Sequence, residues 1–194
     1  MVVDPEVLIT NRHSSIRTIE QLIKDARKKQ GAQKWLGPLV GGVDHLMAVK
    51  IWEKLEIKGQ WIPFEGGSDA LAALLGEHGV VYVGNPVDVI GRPDLSLAVV
   101  AAAQRLEKYP DVPTFAELGY EIESEVLWRG YVVKKGVPEH AQAFLLDIMK
   151  KVSADPEWIT FVERGGATNV LISAENFRSM VNRDQSEAIV YLEK

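Results

Sequence analysis

The chain has 194 residues, 46% of them hydrophobic and 25% charged, with no cysteine and a formal net charge of -5. That balance suits a folded globular protein long enough to build a core without staples, and it excludes disulfides, thiolate metal sites and cysteine nucleophiles. The acidic surplus argues against a nucleic-acid footprint, which needs a basic surface.

The N-terminus, Met1-Val2-Val3-Asp4-Pro5-Glu6, has neither a basic n-region nor a long apolar h-region, so these residues are not expected to act as a signal peptide. The first clear helix follows Thr18, an N-cap that forms a capping box with Gln21. Ile19, Leu22, Ile23 and Ala26 give it an apolar stripe, and Gly31 ends it. Lys24, Arg27, Lys28 and Lys29 fall on its solvated face and toward its C-terminus. A short strand is expected at residues 34–36, broken by Gly37-Pro38. A second helix spans about 43–55, with Met47, Ala48, Ile51 and Leu55 on its core face.

The same unit then recurs. Residues 60–64 read as a strand, Glu65-Gly66-Gly67 as a turn, Ser68 as an N-cap and 69–75 as a helix closed by Gly76. Residues 80–83 form a buried-type strand ending at Gly84-Asn85-Pro86. Residues 97–103 form another strand, and this apolar stretch is far shorter than the ~20 residues of a membrane span. Thr114 and Glu117 make a capping box for a helix that stops at Gly119. A long, partly alternating segment follows at 121–134, carrying Val126, Trp128, Tyr131 and Val133.

Three helices close the chain: one from near Pro138 with a stripe of Phe144, Leu145, Ile148 and Val152, one at 156–164, and one from after Ser173 almost to Lys194. Between them only 168–172 looks like a strand. Alternating strands and helices argue for an α/β fold. The change of pattern divides the chain into an α/β lobe, 1–124, and a mostly helical remainder, 125–194, which needs a partner surface to cover its helices.

The chemistry on offer is modest. Twice a strand runs through a glycine turn into a helix, at Gly41-Gly42-Val43 and at Gly66-Gly67-Ser68. Glycine lets the backbone come close to a ligand, and free N–H groups at a helix start favour an anion. His13, His45, His78 and His140 lack metal-ligand spacing, and there is no GxSxG, P-loop or GxGxxG, so no catalytic residue, metal site or cofactor is expected. Ser68 reads as a cap rather than a nucleophile. Trp128-Arg129 reads either as core plus solvent or as part of a ligand cleft.

Taken in order, several motifs resemble the substrate-binding proteins of tripartite tricarboxylate transporters, the Bug or TctC family. They include the capped helix at 15–23, the turn at 37–46, Pro63-Phe64-Glu65-Gly66-Gly67-Ser68-Asp69-Ala70-Leu71, Tyr109-Pro110-Asp111-Val112-Pro113-Thr114-Phe115 and Trp128-Arg129-Gly130. The resemblance implies a periplasmic-binding-protein-like α/β fold, here one sheet domain plus the C-terminal part of a second lobe, without the family's N-terminal third. It further implies non-catalytic capture of a small organic carboxylate for the transporter's membrane subunits, in the periplasm, with hinge closure between lobes.

Carried over, Gly41, Gly42 and Val43 form one clamp and Gly66, Gly67 and Ser68 another, while Asn85, Trp128 and Arg129 lie at the ligand cleft. Asp44, Glu65 and Asp69 place negative charge beside these turns, about 1 kcal/mol of repulsion per close pair in water-like surroundings. A chain without the other side of the cleft is expected to bind weakly and to self-associate through exposed C-terminal helices. The rival reading is a cytosolic ligand-sensing effector domain of similar fold; a small α/β enzyme ranks below both.

Overall fold

A computed structural model of the chain describes residues 2–122 and 126–192. Its centre is a five-stranded sheet in the order β4-β3-β5-β2-β6. The strands are β2 (Val7–Asn11), β3 (Lys34–Pro38), β4 (Gln60–Phe64), β5 (Val81–Gly84) and β6 (Leu95–Val100). β3 pairs parallel with β4 and β5, whereas β2 lies antiparallel between β5 and β6.

Helices cover both faces, so the inner strands are apolar on both sides. Leu8, Trp35, Val81 and Val83 point toward α1 (Ile19–Lys29) and α2 (Val43–Lys54), where they meet Ile19, Leu22, Met47 and Ile51. Val7, Ile9, Leu36 and Tyr82 point the other way, onto Ala70, Leu71 and Leu74 of α3 (Gly67–Leu75). This alternation is the period-two geometry of a strand. The capping box at Thr18 and Gln21 is present, and α1 ends at Gln30 in the left-handed region (φ 48°), ahead of Gly31.

A second, three-stranded sheet has the order β7-β1-β8. Here β1 (Val2–Pro5) is the middle strand, antiparallel to β7 (Val126–Arg129) and to β8 (Thr168–Asn169). Residues 2–5, expected with the first lobe, therefore pair with segments after 125. The expected boundary at 124/125 itself lies outside the described residues. Only Glu6 separates β1 from β2, so the chain passes directly from one sheet to the other. The helices α4 (Glu139–Ser153), α5 (Pro156–Arg164) and α6 (Ala174–Leu192) complete this part.

Several expectations need correction. Neither β1 nor β2 is anticipated from the sequence, because Val2-Val3 and Val7-Leu8-Ile9 are very short apolar runs around Asp4-Pro5-Glu6. β3 continues through Gly37 and Pro38, since an X-Pro step prefers extended backbone and both residues pair with β4. Gly66, not Ser68, is the N-cap of α3, and Ser68 is exposed within the first turn.

The box at Thr114 and Glu117 forms both of its bonds, 2.9 and 3.2 Å, yet it encloses only a turn before Gly119 (φ 79°). Thr114 is instead held in a parallel bridge to Val100. β6 runs Leu95–Val100, so Ala101 to Ala103 leave the ladder. The α4 stripe is not buried: Phe144 is 65% exposed and Leu145 40%.

Candidate functional site

The first glycine turn follows β3. Its backbone is left-handed at Leu39 (φ 54°) and Gly41 (φ 79°). Trp61 on β4 fixes it by donating its indole N–H to the Leu39 carbonyl at 2.7 Å, and Leu39 N donates to Phe64 O at 2.8 Å. Gly41 N donates to His45 Nδ1 at 3.2 Å, and the His45 ring lies 5.0 Å from Trp61. Burial lowers the His45 pKa, which keeps Nδ1 available as an acceptor. α2 then starts from Gly42 with no N-cap side chain, and the Asp44 carboxyl bonds the backbone N–H of Asp44, which leaves the N–H groups of Gly42 and Val43 for a ligand.

Across from this turn a cavity of about 520 Å³ brings three elements together. Gly41, Gly42 and Val43 come from the turn, Trp128 from β7, and Arg183, Asp184 and Glu187 from α6. Trp128 is held by an indole hydrogen bond to Asp184 Oδ2 at 3.0 Å and by edge contact with Phe177 at 5.0 Å. Arg183 bonds the other oxygen of Asp184 at 3.0 Å. Glu187 pairs with Lys50 of α2 at 2.6 Å, which ties α6 to the helix that carries the turn. The α6 residues are absent from the sequence expectations; their only signal is the polar i, i+1, i+4 spacing of Arg183, Asp184 and Glu187 on an amphipathic helix.

Of the nine residues singled out by sequence, Gly41, Gly42, Val43 and Trp128 line this cavity, and the others lie elsewhere. The second turn supports packing: a Cβ on Gly67 would stand 2.7 Å from the Tyr82 hydroxyl, while Gly66 has open space and Ser68 faces solvent. Asn85 is buried and donates at 3.1 Å both to Pro5 O and to Glu6 Oε1, which fastens the crossing between the sheets. Arg129 forms an ion pair with Asp4, and burial lowers its pKa.

Of the three acidic residues beside the turns, Glu65 and Asp69 are exposed. Asp44 is buried against the crossing, hydrogen-bonded to Glu6 and near Asp88. Burial above all, with the Asp88 charge, pushes its carboxyl up to about 6. Asp88 is likewise raised by burial, and Tyr82 beside it by burial and these carboxylates. None of the three acidic residues lines the cavity.

The family profile of the tripartite tricarboxylate transporter family receptor, TctC, matches residues 1–190. The chain belongs to that family. The TctC-family chain is 26% identical over 198 residues to the UPF0065 protein of the tcbD-tcbE intergenic region of Pseudomonas sp. strain P51, covering 96% of this chain and 58% of that protein.

Two solved structures share the fold. One is the periplasmic binding protein BugD, with a TM-score of 0.86 at 22% identity, covering 99% of this chain and 66% of that one. The other is MatC from Rhodopseudomonas palustris with bound malate, with a TM-score of 0.79 at 17% identity, covering 98% and 66%. The chain thus spans a little over half the length of the Pseudomonas relative and just under two thirds of these structures. Among the described residues no helix is long and apolar enough to cross a membrane.

Proposed function

We propose that this solute-binding receptor chain captures a small dicarboxylate in the periplasm and presents it to the membrane subunits of a tripartite tricarboxylate-type transporter. One observation carries the reading: Gly42 and Val43, at the uncapped start of α2, border the same cavity as Trp128 of the other sheet. One carboxylate is received by their amides, where partial positive charge and free donors coincide. The Trp128 ring covers the carbon chain, and Arg183 on α6, already paired with Asp184, lies on the cavity wall for the second carboxylate. The passage at Glu6 supplies a hinge about which the two sheets close on the ligand. MatC, bound to malate, names the first ligand to try.

Calorimetry and amide chemical shifts test this with malate and succinate. Saturable binding is expected with a Kd of about 1 mM, near -4 kcal/mol, because the chain spans only part of its relatives' length. Shifts are expected at Gly42 and Val43, and Trp128→Ala is expected to weaken binding about tenfold. Absence of heat and of any shift at the turn, for both acids, overturns the assignment.

A further inference from the structure

A second groove lies on the opposite flank of the five-stranded sheet, along β6, and shares no lining residue with the cavity at Trp128. β6 is an edge strand, paired only with β2 along its ladder. Beyond its end, the 113–115 segment covers the edge, with Val100 N donating to Pro113 O and Phe115 N to Val100 O. At the strand's start Leu95 is covered as well, its N–H donating to Arg92 O at 3.1 Å and its carbonyl accepting from Arg12 Nε, so the edge is open between these two stretches, at Leu97. Arg12 N donates to Asp94 O at 2.8 Å, and hydrogen-bonded pairs alternate along an antiparallel ladder. By that alternation Leu97 turns its N–H and C=O away from β2 and into the groove, whose floor is formed by Val89, Leu97 and Val112.

The rim is cationic although the chain as a whole carries -5. Arg12, Arg92 and Lys108 border the groove, against one carboxylate, Asp111. Each cation is held by a backbone carbonyl: Arg12 Nε on Leu95 O at 3.1 Å, Arg92 on Asp88 O at 2.8 Å and Lys108 on Arg164 O at 2.5 Å. Arg92 also acts on the buried Asp88 carboxylate. Among the described residues none of the three cations is in an ion pair. Carbonyl acceptors orient Arg12 and Lys108 without cancelling their charge, while Arg92 shares its charge with Asp88, so a carboxylate brought to the rim meets Arg12 and Lys108 already in place.

We propose that this groove docks an extended acidic segment of a partner protein, which bonds β6 through the outward N–H and C=O of Leu97, between the two covered stretches of its edge. Main-chain bonds to Leu97 supply the register, and alternate side chains of the segment point to the apolar floor and to the cationic rim. The surface lies away from the ligand cavity, so docking and solute capture need not compete.

Fluorescence anisotropy of a short labelled peptide alternating glutamate and valine, titrated with the full chain at low ionic strength, tests the proposal. Saturable binding is expected, weakened about tenfold by Lys108→Glu and by Arg12→Glu, each an exposed position, with thermal unfolding unchanged. A lysine-valine peptide is expected not to bind, and N-methylation of alternate amides in the acidic peptide is expected to abolish binding. Hydrogen exchange is expected to slow at the Leu97 amide. No binding of the acidic peptide, equal binding of the N-methylated one, or insensitivity to both charge reversals overturns the proposal. Malate titration of the same variants, expected to be unchanged, separates this result from the solute-binding one.

Discussion

Asp44→Asn isolates the cost of a buried carboxyl at the crossing between the sheets. Asp44 is 8% exposed and sits among Glu6, Asp88 and Tyr82, and its carboxyl rises from 3.8 to about 6, mainly through burial. At roughly 1.4 kcal/mol per tenfold change in proton affinity, that rise corresponds to about 3 kcal/mol. The folded chain holds this proton more tightly than the unfolded chain does. Stability from Asp44 is therefore full below pH 3.8 and falls as pH rises through about 6.

Asparagine keeps the shape and carries no charge at any pH. Urea unfolding across this window is expected to give nearly equal stabilities for the two proteins at the acidic end. At neutral pH and above the variant should be more stable by about 2–3 kcal/mol. A difference that stays constant with pH, or grows toward acid, refutes the reasoning.

Asn85→Ala removes donors to Pro5 O and Glu6 Oε1 in a buried position, and equilibrium unfolding should register a loss of about 2–4 kcal/mol. Leu39→Gly exchanges a left-handed, 59% exposed leucine for the residue that takes φ 54° without strain. A gain of about 0.5–1 kcal/mol is expected, and a loss would mean that Leu39 packs more than its exposure implies. Phe144 and Phe161, 65% and 69% exposed, are expected to drive concentration-dependent association seen by light scattering; Phe144→Lys should reduce it, and a monomer at every concentration counts against the idea.

Local rules were enough to recover α1, α2 and β4 from sequence. The capping box at Thr18 and the stripe from Ile19 to Ala26 are set by neighbours three and four residues away, and the structure keeps both. β1 and β2 escaped because their stability is non-local. Val7, Leu8 and Ile9 become a central strand only through partners on β5 and β6, drawn from the far side of α1, α2 and α3.

The site divides in the same way. Gly41, Gly42 and Val43 are legible as a turn, and Trp128 as an ambivalent strand residue, whereas Asp184 and Glu187 belong to the cavity only because α6 folds back on α2. Asn85 shows a different partner from the one the sequence suggests. The polar residue at a strand end, expected at the cleft, spends its donors on the chain's own crossing.

The placement of β1 also bears on the order in which the molecule assembles. Val2 faces Arg129 and Val3 faces Thr168, so each ladder of the small sheet closes a loop of well over a hundred residues. In the unfolded chain that closure carries a large entropy cost, which grows with loop length. Once the five-stranded sheet has formed, Ala101 N is bonded to Glu6 O, so the loop that β1 must close shrinks to the residues after 101. The small sheet thus depends kinetically on its larger neighbour.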